Sequence, residues 1–551
     1  MGKFLLSALS SILIVLVLST SYAGSKVDPY IKASSTGSSS MGAKAASLNS
    51  SINISESSEM RSIFIKTANA EAVKEIVKSN GGMVHTVAGN IMTASVSMAS
   101  IDIIAESDEV EFIEGGKPID LSNDMGSLET NTPEVHKGTN LPASYTGAGT
   151  IIGIIDTGID FAHPDFYDAE GRSRIISIWN QTRSSGPYPM EIDDSYGTEC
   201  NSDSIVDGSC PLYDANGHGT HVAGTAAGSD EKYRGVAPDA NIIVVSYDSS
   251  VSLDSGYAEP IFSTKICQAA YYVFSKASQL GMPAVINLSL GTHIGAHDGT
   301  SLFEECLSEL IQDSAGRAIV AAAGNEYYTE GKYTGIHAGA DVNGSVAANF
   351  EIKKVTNDRI YYLDVWGSPG SDLSVGLAIH DGDPSGTAVK YSGDIAMGDQ
   401  SSGEFLGGAI EYSINFSESS SVLNGKPHAG IRIRLNSSFT DVDGYSFDLV
   451  LSGSGSFDAW LFPDKDRETS KPILFTDQSG PSSNGWNHIP GDSLKTIAIP
   501  ATSPNIIAVG AYTTRNKWEQ GPGCCEVAFD IDQLLDFSSA GPTPSPEFTG
   551  I

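Results

Sequence analysis

The chain runs to 551 residues, 40% hydrophobic and 8% aromatic, too long for one hydrophobic core; a large domain of roughly 200 to 300 residues with at least one companion is expected. Its 67 Asp and Glu outnumber 32 Lys and Arg, for a net charge of −35. That balance excludes a protein that grips nucleic acid through its phosphates, which needs clustered positive charge, and it speaks of solubility rather than of fold.

Residues 1–23 place Lys3 ahead of an apolar run and small residues at Ser21 and Ala23, the pattern of a cleaved export signal. The run is shorter than the ~20 residues of a spanning helix, and no later segment is apolar enough to span, so a secreted, extracellular protein is expected. Residues 24–58 form a Ser/Ala/Gly-rich stretch without period, read as a linker. A compact α+β unit follows at 59–118, read as β-α-β-α-β: RSIFIKT, a helix opening near Asn69, MVHTVAGNIMTASV, a short segment from Ile101 to Ala105, and EVEFIE. Between an export signal and a larger domain is where a propeptide sits, with a maturation junction at 119–148.

From Gly149 to about 330, apolar strands alternate with helices: TIIGIIDTG, NIIVVSYD, PAVINLSLG and AIVAAAGN, with helices near 218–228, 258–280 and 301–316. This predicts an α/β fold, a mostly parallel sheet with helices on both faces. Ligands of such sheets bind at the carboxyl ends of the strands. Over 331–495 short alternating segments separated by Gly, Ser, Asn and Asp take over, from RIYYLDVWG to FDAWLFP, predicting an inserted all-β sandwich or jelly roll. NIIAVGAYT then reads as a parallel-sheet strand, so the α/β domain resumes over 496–551.

Six cysteines in an exported chain allow 15 connectivities. Cys200 and Cys210 bracket a polar loop and form the local candidate. Cys267 and Cys306 fall in core-facing helices, either as buried thiols or as a bridge, and the adjacent Cys524 and Cys525 are expected to pair elsewhere rather than with each other.

The stretch ANGHGTHVAG sets His218 and His221 three apart among glycines, on one helical face, open to a metal pair, a catalytic base or neither. Asp156 ends the apolar strand IIGIID, and a carboxylate there needs a partner such as an imidazole N–H. Asn325 closes AIVAAAGN and can present an amide to a developing negative charge. Gly299-Thr300-Ser301 is a lone G-T-S, but Ser301 with Glu304 makes an S-x-x-E capping box opening a helix.

DTGIDFAHPDF, NGHGTHVAGTAAG, GVAPDA, INLSLG, AAAGNE and FSSAGPT, in this order, resemble the signature blocks of the subtilisin-like serine proteases. The resemblance implies roles: Asp156 orients the imidazole, His218 is the general base, and Asn325 donates to the oxyanion. It makes His221 and His163 structural, and the 59–118 unit an inhibitory propeptide. Ser289, Leu290 and Gly291 match the segment that pairs with an extended substrate peptide, by strand addition. Asp165 matches a calcium ligand, although the loop GSDEKYRGVAP is shorter than the usual ligand loop; no cofactor is required. Partners implied are protein or peptide substrates and the chain's own propeptide.

The family places its nucleophile in a G-T-S-M/A-A-x-P block after FSSAGPT, which puts the serine beyond Ile551. The implied activity is serine endopeptidase catalysis. The competing reading is a pseudoprotease or binding scaffold acting through the β insert. The insert and the segment GAHDGTS are similar to clostridial-type subtilases, some of which carry a jelly-roll insert.

Overall fold

The computed structural model describes residues 26–29, 31, 60–115, 120–121, 130–183, 186–193, 196–231, 233–247, 263–312, 314–327, 331–352, 359–382, 384–385, 387–417, 419–436, 445–462, 473–514, 517–520, 523–526, 533–535 and 537–544. The expected export signal, most of the 24–58 stretch, and the start of the helix expected from 258 lie outside the described residues.

The first unit contains β1 (Met60–Lys66), α1 (Ala70–Ser79), β2 (Met83–Ala88), β3 (Ile91–Ser97), α2 (Met98–Ala105) and β4 (Phe112–Gly115). Its antiparallel sheet has the order β2-β3-β1-β4. The sequence reading had one strand where there are two: the chain turns at Gly89-Asn90, with Gly89 at φ +54°, so the unit is βαββαβ. Asn69 caps α1 by accepting from the Ala72 N–H, a contact of the kind that contributes about 1 kcal/mol. Period-two alternation divides β1 between two cores. Ile63 and Ile65 join Val73 and Val77 in the unit's own core, whereas Phe64 joins the larger domain's core and stacks on Phe303 at 6.3 Å between ring centroids. Val27 and Ile31 also enter the unit's core, and Val27 bridges to Ile113, so part of the stretch that composition reads as linker is packed. A two-residue strand, β5 (Asp120–Leu121), follows.

The larger domain is built on β6 (Ile151–Asp156), β7 (Ile175–Asn180), β8 (Thr198–Asn201), α3 (His218–Ala227), β9 (Asn241–Ser246), α4 (Ser263–Leu280), β10 (Ala284–Leu288), β11 (Leu290–Gly291), α5 (Leu302–Ile311) and β12 (Arg317–Ala322). Its sheet runs β26-β12-β10-β6-β9-β7-β8, where β26 is Ile507–Val509. Neighbours are parallel up to β8, which is antiparallel to β7. The return of β26 to β12 closes the domain around the insert, as the segment NIIAVGAYT implied. Ile151, Ile155, Ile243 and Val245 pack with α4 and α5 residues, while Ile154, Ile242 and Val244 pack with Val222 and Ala223 of α3. Both parities of each strand are buried, which is why these strands read as continuous apolar runs. Disulfides join Cys200 to Cys210 and Cys267 to Cys306; the second ties α4 to α5.

The insert is all-β. It comprises β13 (Tyr333–Gly335), β14 (His337–Glu351), β15 (Arg359–Gly367), β16 (Asp372–Asp381), β17 (Lys390–Tyr391), β18 (Ile395–Ala396), β19 (Gln400–Phe405), β20 (Ile410–Phe416), β21 (His428–Leu435), β22 (Tyr445–Phe462), β23 (Leu474–Thr476), β24 (Gly480–Pro481) and β25 (Asn487–Ile489). Its main path is β13-β23-β14-β22-β15-β21-β20-β19, with β16 also on β22 and β25 parallel to β14. Phe350, Phe447 and Phe475 cluster in its core.

The root of the insert carries a charge-assisted knot. Buried His337 donates from Nδ1 to Asp492 (2.9 Å) and from Nε2 to Asp458 (3.1 Å), and Lys495 donates to the same Asp458 oxygen at 2.5 Å. Burial opposes the charge on Asp458, but the His337 hydrogen bond and the Lys495 charge outweigh it and hold the carboxyl at about 2. Burial likewise opposes protonation of His337, and its bonds to Asp458 and Asp492 outweigh that and raise it. A carboxyl lowered on folding adds stability above its unfolded value of about 3.9, lost as pH falls through the folded value. An imidazole raised on folding adds stability below about 6.5, lost as pH rises through its folded value. The insert's melting temperature is therefore expected to plateau between about pH 4 and 6.5 and to fall on either side. Calorimetry of wild type and His337→Gln checks this: the variant loses the decline on the alkaline side, and an unchanged alkaline slope contradicts the assignment.

Candidate active site

Asp156, the last residue of β6, is fully buried. His218 opens α3 after Gly217, whose φ of +88° lets the chain turn into the helix. Asp214 fixes that turn: Oδ1 accepts from the N–H of Asn216 and Gly217, and Oδ2 from the N–H and hydroxyl of Thr220. Burial disfavours the Asp214 charge, but these bonds, with one from Thr157, outweigh it and keep the carboxyl below its ordinary range. Thr157 links strand end to helix start, donating to Asp214 (3.0 Å) and accepting from the Gly219 N–H (2.9 Å). Only glycine fits at 219, where a Cβ would lie 2.3 Å from the Gly158 carbonyl oxygen.

This frame sets His218 Nδ1 2.7 Å from Asp156 Oδ1, and the same oxygen accepts from the Thr157 N–H at 2.7 Å. The carboxylate holds the proton on Nδ1 and leaves Nε2 as the nitrogen able to take one. The His218 side chain is 16% exposed, sheltered yet reachable. Asp214 and Thr157 escaped the sequence reading; the spacing D-A-N-G-H-G-T, an Asp able to turn the backbone two and three residues on, was the signal available.

Asn325 lies three residues beyond the end of β12. Because β12, β10 and β6 are parallel neighbours, Asn325, Ser289 and Asp156 fall at the same edge of the sheet. Asn287 donates to the Ser289 hydroxyl at 3.0 Å. Leu290 and Gly291, as β11, pair antiparallel with β5: Leu290 opposite Leu121, Gly291 opposite Asp120. The segment read as peptide-binding thus already carries an added strand from the chain itself. Glu326, next to Asn325, accepts from the Asn325 N–H (2.6 Å) and the Ser539 hydroxyl (3.1 Å) and pairs with His293 Nε2 at 3.1 Å, which ties the FSSAGPT segment to the AAAGNE segment.

The remaining residues singled out in the sequence sort as follows. Ser301 makes the full capping box with Glu304 at the start of α5, and burial raises the Glu304 carboxyl to about 7. His163 accepts from the Asp165 N–H in a short 3₁₀ turn. His221 lies one turn into α3 from His218. The Asp165 carbonyl accepts from Arg174 and Ser229, and its carboxylate lies 3.6 Å from His163. Among the described residues no group of three or more His, Cys, Asp or Glu converges as for a metal. A carboxylate facing an imidazole does not fit calcium, which takes six to eight oxygens.

The subtilase family model matches residues 147–393 of the chain. A subtilisin of Bacillus sp. (strain TA39) is 29% identical over 277 residues, covering 48% of this chain and 55% of the relative. Subtilisin E of Bacillus subtilis (strain 168) is 25% identical over 331 residues, covering 58% and 71%. The chain thus spans about half the length of the first of these relatives. The structure of the Clostridium perfringens CspB protease shares the fold, with a TM-score of 0.55, 24% identity, and coverage of 77% of this chain and 78% of that one. No helix among the described residues is long and apolar enough to cross a membrane.

Proposed function

We propose that the protein is an exported serine endopeptidase made as a zymogen, and the observation that carries this is the 2.7 Å contact between His218 Nδ1 and Asp156 Oδ1 beside a strand already paired with extended chain. In this scheme the serine of the family's G-T-S block attacks the substrate carbonyl while His218 Nε2 takes its proton. Asp156 steadies the imidazolium, and the Asn325 amide donates to the oxyanion. His218 then protonates the leaving amine, and water hydrolyses the acyl-enzyme. No metal or cofactor enters the reaction.

Ser289, Leu290 and Gly291 receive the substrate backbone by strand addition. The pairing of β5 with β11 supports residues 59–118 as an inhibitory propeptide that lays its continuation in the cleft, with maturation between 119 and 148. The separate cores on β6 and β9 support helices on both faces of the sheet. In the natural protein, Asn325→Ala is expected to lower kcat by about 10²–10³-fold with KM little changed, the size known in subtilisin for losing one such donor. Steady-state hydrolysis of a peptide series checks it; an unchanged kcat removes Asn325 from the scheme.

A further inference from the structure

A small pocket lies against the peptide-pairing strand. It is lined by Leu290, Gly291, Gly324, Glu326, Ala498 and, from the insert, Phe462. Gly324 and Glu326 flank Asn325. In the peptidase reading, this pocket lies beside the peptide residue whose carbonyl Asn325 polarises. The space is open to solvent and small, with room for about one water-sized or methyl-sized group.

Phe462 is the last residue of β22 and is held by Ile294 of the larger domain and Tyr362 of the insert. Two residues earlier on the same face of the strand, Trp460 stacks on His297 at 4.2 Å, and His297 stacks on His293 at 5.4 Å, which pairs with Glu326. Burial, with the neighbouring His293, pushes the His297 imidazole down to about 3, so it serves as an uncharged plate in the stack. The end of β22 is thereby keyed to the pocket it closes.

We propose, on the basis of the peptidase reading above, that the insert is a specificity element: Phe462 walls the pocket so that it accepts a short side chain on the acyl side of the scissile bond and refuses an aromatic one. Substrates are then peptides with residues such as Ala or Ser at that position. The Glu326 carboxylate beside the pocket adds a bias against acidic side chains.

The test is kcat/KM of the natural protein on a peptide pair differing only in Ala or Phe at that position. Wild type is expected to prefer Ala. Phe462→Ala should raise the Phe/Ala ratio at least about tenfold, the scale on which apolar pockets discriminate size, and Phe462→Leu should fall between. Thermal unfolding is followed alongside, and because the ratio is internal to each protein, a loss of folded fraction does not move it. An active wild type whose ratio is unchanged in both variants overturns the assignment to Phe462 alone. A correctly folded wild type that hydrolyses neither peptide nor any general protein substrate overturns the peptidase reading as well.

Discussion

Asp156→Asn is expected to lower kcat/KM for a peptide substrate by about 10⁴-fold at neutral pH while leaving the chain folded. The Asp156 side chain is fully buried and its Oδ1 accepts from both His218 Nδ1 and the Thr157 N–H. An asparagine fills the same volume, so packing of β6 against α3 survives. What it removes is the negative charge that stabilises the imidazolium as His218 takes the serine proton, in surroundings where water cannot substitute for it. Measuring kcat/KM and the thermal midpoint of both proteins separates chemistry from folding. A loss of less than tenfold with an unchanged midpoint contradicts the role given to Asp156.

Asp448→Ala carries the largest expected cost in stability, about 3–5 kcal/mol. Asp448 is buried on β22 and accepts from His380 Nε2 (2.9 Å) on β16, His488 Nε2 (2.8 Å) on β25 and Asn349 Nδ2 (2.8 Å) on β14. All four side chains are within 2% of full burial. Burial opposes the Asp448 charge, but the bonds from His380 and His488 outweigh it and hold the carboxyl below its ordinary range. Truncation leaves three buried donors from three strands without their acceptor, each carrying a desolvation penalty. Urea denaturation checks this, with Asp448→Asn, which keeps one acceptor oxygen, losing less. Equal midpoints for wild type and Asp448→Ala contradict the account of the insert's core.

How much of this the sequence disclosed depends on how local the cause was. The strands β6, β9, β10 and β12 were legible because burial on both faces writes an unbroken apolar run. The edge pair β7 and β8 was not, since IISIWN and TECN are short and interrupted by polar residues. The hairpin at Gly89-Asn90 was hidden inside one apolar stretch. Asp156, His218 and Asn325 stood at strand ends or a helix start and could be named from position and motif. Asp214 was marked only by its spacing ahead of His218, a turn signal, because its work is to hold the backbone N–H groups of that turn rather than to enter the chemistry. The cluster around Asp448 had no local signature, since only the folded topology brings β14, β16, β22 and β25 together. Pairing of β11 with β5, and of Cys267 with Cys306, are long-range contacts with no local signature.

The most direct measurement is fluorophosphonate labelling of the natural gene product, with the labelled peptide mapped by mass spectrometry and a His218→Ala protein alongside. The account predicts one labelled serine, in the block following FSSAGPT, with labelling abolished in the variant because Nε2 no longer takes the hydroxyl proton. Absence of labelling in the folded wild-type protein, or labelling that survives His218→Ala undiminished, contradicts it.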